Sequence, residues 1–270
     1  MKKVVLITGA SAGMGKETAR LLAQQGYTVY GAARRVDKME ELKQWGIHVL
    51  SMDVTDDASM VAGIGHIIAA EGRIDVLVNN AGFGSYGAIE DVPLADAKYQ
   101  LDVNVFGAAR LAQLVIPHMR RQRSGRIVNI SSIGGKFAVP LGGWYHASKF
   151  ALEALSDSLR NEVRDFGIGV VVIEPGGVKT EWGGIMADHL QKASAHSPYR
   201  QMANKIIEVE KKTGPKGAEP LVIARLIHKA IEVRKPKTRY WGGYLAGPLL
   251  FLRKVLSDRM MDRLWMSQLK

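Results

Sequence analysis

Short apolar runs alternate with helical stretches along most of this chain, and that rhythm limits its fold more than any other feature. The strand candidates are Lys3–Thr8, Thr28–Ala32, His48–Met52, Val76–Asn79, Arg126–Ser131 and Val170–Glu174. Helical patterns lie between them, near residues 14–25, 36–44, 57–70, 95–121 and 144–166. The runs are apolar throughout, as in a parallel sheet covered on both faces. Alternation of this kind predicts an α/β, doubly wound, mainly parallel sheet. A helix at Leu221–Val233 and a short strand at Thr238–Trp241 follow, giving seven strands. The 270 residues suit one domain with a sizeable core, and no repeat, low-complexity tract or linker divides them. Residues 1–270 are therefore read as a single domain.

Two segments break the rhythm. A polar, helix-prone insertion runs from about Gly183 to Lys212. Near the end, an apolar stretch at Tyr244–Leu252 leads into a helix with Leu252, Leu256, Met260 and Leu264 spaced by four. Such a stripe serves core or dimer packing, or else a greasy lid or membrane-surface contact.

Composition removes several chemistries. There is no cysteine, which excludes disulfides, thiolate catalysis and cysteine–metal sites. The seven histidines show no ligand spacing, so no metal site is expected. His146 should point off any catalytic face, and His118, after Pro117, should be structural. The net charge is +11, and residues 211–270 carry 14 Lys/Arg against 4 Asp/Glu. That basic region is a solvated surface or a patch for acidic lipid, an acidic carrier protein or an anionic substrate. No nucleic-acid recognition motif is present, and no nucleic-acid partner is expected. No run of about 20 apolar residues exists to span a membrane. The apolar N-terminal run reads as a buried first strand rather than a signal peptide, and a cytoplasmic protein is expected.

The first strand runs directly into Thr8-Gly9-Ala10-Ser11-Ala12-Gly13-Met14-Gly15, which opens a helix. Glycines let backbone approach a pyrophosphate, and the helix start offers it free N–H groups and partial positive charge. Gly9, Ser11, Gly13, Met14 and Gly15 are the resulting cofactor candidates. The second strand ends in Arg34-Arg35, with no Asp or Glu between Gly26 and Val36. A ribose 2′-hydroxyl calls for a carboxylate there, whereas a 2′-phosphate calls for arginine. Arg34 and Arg35 therefore predict NADP(H), unless one or both simply face solvent. Asp53 and Val54 follow the third strand and suit an adenine, though Asp53 alone suits a helix cap with Thr55. Asn80, Ala81 and Gly82 follow the fourth strand and suit the ribose; alone they read as a turn.

Tyr145 and Lys149 are four residues apart, on one face of a helix. A nearby ammonium favours phenolate, so Lys149 is expected to lower the Tyr145 pKa towards neutrality and make it a proton-transfer group. Ser132 lies thirteen residues upstream, at the end of an apolar run. Together with the glycine-rich turn, these residues look like a nicotinamide-dependent oxidoreductase.

Thr8-Gly9-x-x-x-Gly13-x-Gly15, Asn79-Asn80-Ala81-Gly82, Ser132, Tyr145-x-x-x-Lys149 and Pro175-Gly176-Gly177-Val178-Lys179-Thr180 follow one another in this order. In that order and spacing the chain resembles the short-chain dehydrogenase/reductase superfamily over about residues 3–180. The resemblance implies a Rossmann-like domain, a nicotinamide cofactor and a homodimer or homotetramer. It makes Tyr145 the general acid/base, and Lys149 the group that lowers its pKa and binds the nicotinamide ribose. Ser132 polarises the substrate carbonyl, with Ser131 as rival and the thirteen-residue spacing favouring Ser132. Asn104 would hold a water that relays protons to the lysine, or fix a bend in the long helix, or both. Pro175, Gly176, Val178 and Thr180 would cover the nicotinamide. The tail past Gly243 resembles the branch that handles hydroxysteroids, retinoids and other lipophilic alcohols or ketones. On that reading, residues 182–213 form the substrate loop, with Trp182, Ile185, Met186, Leu190, Tyr199 and Met202 available for an apolar cleft, and 244–270 form an extension. The implied reaction interconverts a carbonyl and an alcohol on a hydrophobic small molecule. Alternatives are a 3-oxoacyl thioester reductase served by an acyl carrier protein, and a non-catalytic NADP(H)-binding sensor or scaffold.

Overall fold

A computed structural model describes residues 2–269. Seven strands form one parallel sheet in the order β3-β2-β1-β4-β5-β6-β7. They are β1 (Val4–Thr8), β2 (Thr28–Ala33), β3 (His48–Ser51), β4 (Val76–Asn79), β5 (Gly125–Ile130), β6 (Ile168–Pro175) and β7 (Arg239–Gly242). The helices are α1 (Gly13–Gln24), α2 (Asp57–Glu71), α3 (Leu94–Leu101), α4 (Gly107–Gln122), α5 (Gly143–Glu162), α6 (Trp182–Ala193), α7 (Arg200–Thr213), α8 (Pro220–Glu232), α9 (Ala246–Val255) and α10 (Asp258–Ser267).

Successive side chains of a strand point to opposite faces. Val5 and Ile7 of β1 accordingly pack with Ala19 and Leu22 of α1 and Ile223 and Ile227 of α8. Val4 and Leu6 pack with Ile64 and Ile67 of α2 and Leu111 and Val115 of α4 on the other side. Both faces are covered, which is why the strands lack a polar alternation. The strand order reverses between β1 and β4, which pair directly in register Val5 with Val76. A doubly wound sheet opens a crevice at the carboxyl ends of its strands at such a switch point. The glycine-rich turn after β1 and Asn80–Gly82 after β4 meet there.

Three local expectations need correction. Residues 36–44 form the 3-10 helix Asp37–Trp45 rather than an α-helix. The helix expected over 95–121 is interrupted by a π-helical turn at Asp102–Phe106. The insertion is helical as expected, forming α6 and α7. The tail is not one helix: Leu256 is extended, with φ −93° and ψ 142°, and separates α9 from α10. Buried Met261, together with Trp265 stacked on Phe137 at 5.2 Å, anchors α10. Among the described residues, no helix is long and apolar enough to cross a membrane, and no His/Asp/Glu cluster suits a metal ion.

Candidate active site

The turn after β1 is built for close approach. Gly9 (φ 67°) and Gly13 (φ 53°) occupy the left-handed region that glycine adopts without strain. Thr8 Oγ1 accepts from the N–H groups of Asn80 at 3.1 Å and Ala81 at 3.0 Å. In return Asn80 Nδ2 donates to the carbonyls of Thr8 (2.9 Å) and Gly9 (3.2 Å). The two crevice walls thus fix each other. A Cβ on Gly15 would collide with Asn80 Nδ2 and the Gly9 carbonyl, so this glycine holds α1 against the turn rather than lining the cavity. Ala12 caps α1 with no side-chain acceptor, leaving first-turn N–H groups for an anion.

A cavity of about 520 Å³ begins at this turn. Gly9, Ser11, Gly13 and Met14 line one end, with Arg34, Arg35, Asp53 and Val54 beside them. Asn80, Ala81, Gly82 and Thr180 line the middle. Asp53 does not cap α2, a role taken by Asp56 accepting from Ala58 N–H. Its carboxylate instead accepts from Thr55 N–H at 2.9 Å and Thr55 Oγ1 at 2.8 Å. Arg34 Nη1 donates to Tyr99 Oη at 2.5 Å, and Arg35 Nη2 to Ser11 Oγ at 3.2 Å. Left-handed glycines, an uncapped helix start and two cations at the β2 end fit a phosphorylated dinucleotide. Pro175 and Gly176 lie off the cavity wall, the latter donating to Gly242 O at 2.8 Å. Val178 also lies off it, bridged to Ala218.

The proton-transfer candidates converge where β5 and α5 meet the crevice. Lys149 Nζ lies 5.9 Å from the Tyr145 ring centre and donates to Ile130 O at 3.0 Å. A Cβ on Gly82 would come within 3.0 Å of Asn104 Oδ1 and 3.5 Å of Lys149 Nζ, so this glycine lets three elements close together. Ser132 Oγ accepts from Gly134 N–H at 2.9 Å, and its hydrogen bond to Tyr145 favours the phenolate. Ser131 Oγ is buried without a partner, which leaves Ser132 as the serine facing the phenol. The Asn104 side chain is fully employed. It accepts from Phe83 N–H at 3.0 Å and donates to Phe83 O and Ser148 Oγ, both at 2.9 Å. In the π-turn it pins the loop after β4 to α5, a positioning task.

Electrostatics here differ from the sequence expectation. Burial pushes the Tyr145 phenol up to about 12, with Ser132 pulling the other way. Burial also brings the Lys149 ammonium down to about 8, opposed by the charge of Glu153 one turn along α5. Loss of water is the largest cause for both groups, pushing the phenol up and the ammonium down. His146 does not line the cavity, and neither do Tyr145, Ser132, Lys149 or Asn104; it donates from Nδ1 to Gly134 O at 2.8 Å. It braces the turn that carries Ser132.

Several wall residues were not read from sequence. Phe83, Ser85, Tyr99, Asp96, Val103 and His189 complete the cavity beside Trp182 and Ile185. Buried Tyr86 packs on Tyr145 at 5.6 Å and on Trp182 at 5.8 Å between ring centres. Met186, Leu190, Tyr199 and Met202 do not line the cleft but pack beneath it with Tyr86 and Tyr145. The one sequence signal for these aromatics is their position after Asn80–Gly82 and after Thr180, where such loops border a crevice.

A doubly wound sheet with this turn at its switch point, and a Tyr–Lys pair beside it, defines an oxidoreductase of the nicotinamide-binding kind. Residues 3–190 match the family model described as short chain dehydrogenase. The chain belongs to that family. It is 37% identical over 270 residues to the 3-ketodihydrosphingosine reductase of Bacteroides thetaiotaomicron, covering 96% of this chain and 95% of that one. It is 31% identical over 291 residues to the NADPH-dependent 3-dehydrocapnine reductase of Ornithobacterium rhinotracheale, covering 99% and 98%. A solved short-chain dehydrogenase from Streptomyces avermitilis superposes with a TM-score of 0.79 at 31% identity, covering 98% and 96%.

Proposed function

We propose that this enzyme is an NADP(H)-dependent reductase that interconverts a ketone or aldehyde and an alcohol on a hydrophobic small molecule in the cytoplasm. The observation that carries this is the buried Tyr145 phenol, with Ser132 and Lys149 beside it, behind an aromatic-walled cavity that begins at the glycine-rich turn. Gly9, Ser11, Gly13, Met14, Asn80, Ala81, Gly82 and Thr180 would hold the dinucleotide, with Asp53 and Val54 at the adenine and Arg34 and Arg35 at the 2′-phosphate. Gly15 shapes the turn, and Pro175, Gly176 and Val178 support the strand end beneath Thr180. The cofactor, when bound, supplies the hydride. Ser132 Oγ donates a hydrogen bond to the substrate oxygen and stabilises charge developing there. Tyr145 Oη delivers the proton to that oxygen, and Lys149 stabilises the phenolate left behind. Asn104 keeps α5 and the Phe83 loop in register.

The activities for which the two relatives are named support reduction as the direction, and one supports NADPH as the donor. Exposed Phe106, Phe150 and Leu155 support a homodimer or homotetramer. Exposed Leu245, Phe251 and Val255 beside Lys254 support weak contact with anionic lipid. Size-exclusion chromatography, and sedimentation with anionic vesicles at low salt, test those two contacts. The basic C-terminal region equally suits an acidic acyl carrier; faster turnover of short 3-oxoacyl thioesters than of bulky ketones would favour that second reading. The central test is Tyr145→Phe. Turnover should fall about 10²–10⁴-fold while NADPH still binds; retained activity would refute the assignment.

A further inference from the structure

Arg35 at the end of β2, and Lys38 just beyond it, are already engaged by a carboxylate of this chain. Arg35 donates through Nη1 and Nη2 to Glu181 Oε2 at 3.2 and 3.3 Å. Lys38 Nζ lies 3.6 Å from Glu181 Oε1. The same Arg35 reaches Ser11 on the glycine-rich turn, so one guanidinium bridges the turn and Glu181. Glu181 immediately precedes α6 as its N-cap residue, with no side-chain cap bond of its own. The next residue, Trp182, lays its ring 5.3 Å from the Tyr145 ring and against Gly84. Beneath Trp182 and Tyr86, Tyr145 is only 7% exposed. One carboxylate thus ties Arg35 and Lys38 to the helix start whose first ring covers the phenol.

A phosphate dianion and a glutamate seek the same guanidinium fork, and two like charges on one fork repel. Resting on the NADP(H) reading above, we propose that Glu181 is an internal competitor for the 2′-phosphate, and that its displacement from Arg35 and Lys38 frees the start of α6 and moves Trp182 off Tyr145. The 2′-phosphate then sets cofactor choice twice. It gains the cations that Glu181 gives up, and it uncovers the proton donor. A dinucleotide without that phosphate leaves the strap fastened.

The test uses 2′,5′-ADP and 5′-AMP, which carry no nicotinamide and cannot turn over. Each is titrated into the wild-type protein and Glu181→Gln, with affinity from calorimetry and Trp182 emission assigned by difference from Trp182→Phe. Matching thermal melts confirm that the variants fold; Glu181 is exposed, so Glu181→Gln should melt with the wild type. Glu181→Gln should bind 2′,5′-ADP about two- to fivefold more tightly, the size of effect that an exposed ion pair gives, and bind 5′-AMP unchanged. The gain should shrink in high salt. In the wild-type protein 2′,5′-ADP, and not 5′-AMP, should shift Trp182 emission, and Glu181→Gln should start out shifted. Equal affinities in the two proteins, or tight 2′,5′-ADP binding with Trp182 emission unmoved, overturn the strap and leave the NADP(H) reading standing. If 2′,5′-ADP binds no better than 5′-AMP to either protein, the NADP(H) reading falls and the strap with it.

Discussion

Lys149 shows how much a single side chain gives up to serve this site. Its ammonium is buried and sits at about 8, below its ordinary 10.5. Between those values the unfolded chain binds a proton that the folded chain does not. Stability therefore rises with pH across that window, and the penalty is present in full below it. Lys149→Met should raise unfolding free energy at pH 7 by on the order of 1–3 kcal/mol and abolish turnover. The gain should fade as pH approaches 10.5. Urea melts at neutral and alkaline pH check this; a variant less stable at pH 7 would mean that the hydrogen bond to Ile130 O outweighs desolvation. Tyr145 and Lys149 were legible from spacing alone. Their protonation was not, because spacing reports which groups meet and says nothing of how much water they lose.

At the scale of elements, the site depends on how closely the β1 turn, α1 and the β4 loop pack. Gly15 is the contact point. Gly15→Ala places a methyl against Asn80 Nδ2 and the Gly9 carbonyl, a backbone atom that cannot yield. Overpacking of this kind costs about 1–3 kcal/mol. Stability should drop by that amount, and NADPH affinity should weaken about tenfold or more, since about 1.4 kcal/mol is a factor of ten. Thermal melts and fluorescence titration measure the two; an unchanged affinity would remove Gly15 from any part in shaping the site. The strands and the glycine turn were readable because each is local: an apolar run, or glycines directly after it. The wall of the cleft was not. Phe83, Tyr99, Glu181 and His189 come from separated segments, and only the fold brings them together. The tail misled for the opposite reason. Leu252, Leu256, Met260 and Leu264 keep a helical period across Ser257, where the chain turns extended and a new helix starts. Apolar spacing outlasted the helix.

Across the whole molecule, a buried charge network joins parts that the site needs in register. Glu153 on α5 and Glu174 on β6 share Lys136, at 2.6 and 3.5 Å, and Arg239 of β7, at 2.9 and 3.3 Å. Both carboxylates are almost fully buried, and Glu174 is held above the usual carboxylate range by burial first and by the Glu153 charge second. Stripping one partner from buried charges costs about 3–5 kcal/mol. Arg239→Met should lose roughly that much at pH 8. A carboxyl group with a raised pKa stabilises the fold below that pKa and loses the contribution as pH climbs through it, so the defect should be smaller at pH 5. Denaturant melts at the two pH values decide it; an equal loss at both would show that the carboxylates find other partners. The network also meets the tail, where Arg253 Nε donates to the Lys136 carbonyl at 3.1 Å and Trp265 stacks on Phe137. Those contacts grip the segment just past Ser132. During synthesis Ser132, Tyr145 and Lys149 leave the ribosome well before the grip exists, so a nascent chain halted after Gly243 carries all three and none of the brace. A protease nicking the extended link at Leu256 would sever α10 and its Trp265 stack from the body while Arg253 stayed on Lys136, removing half of the brace in a mature molecule.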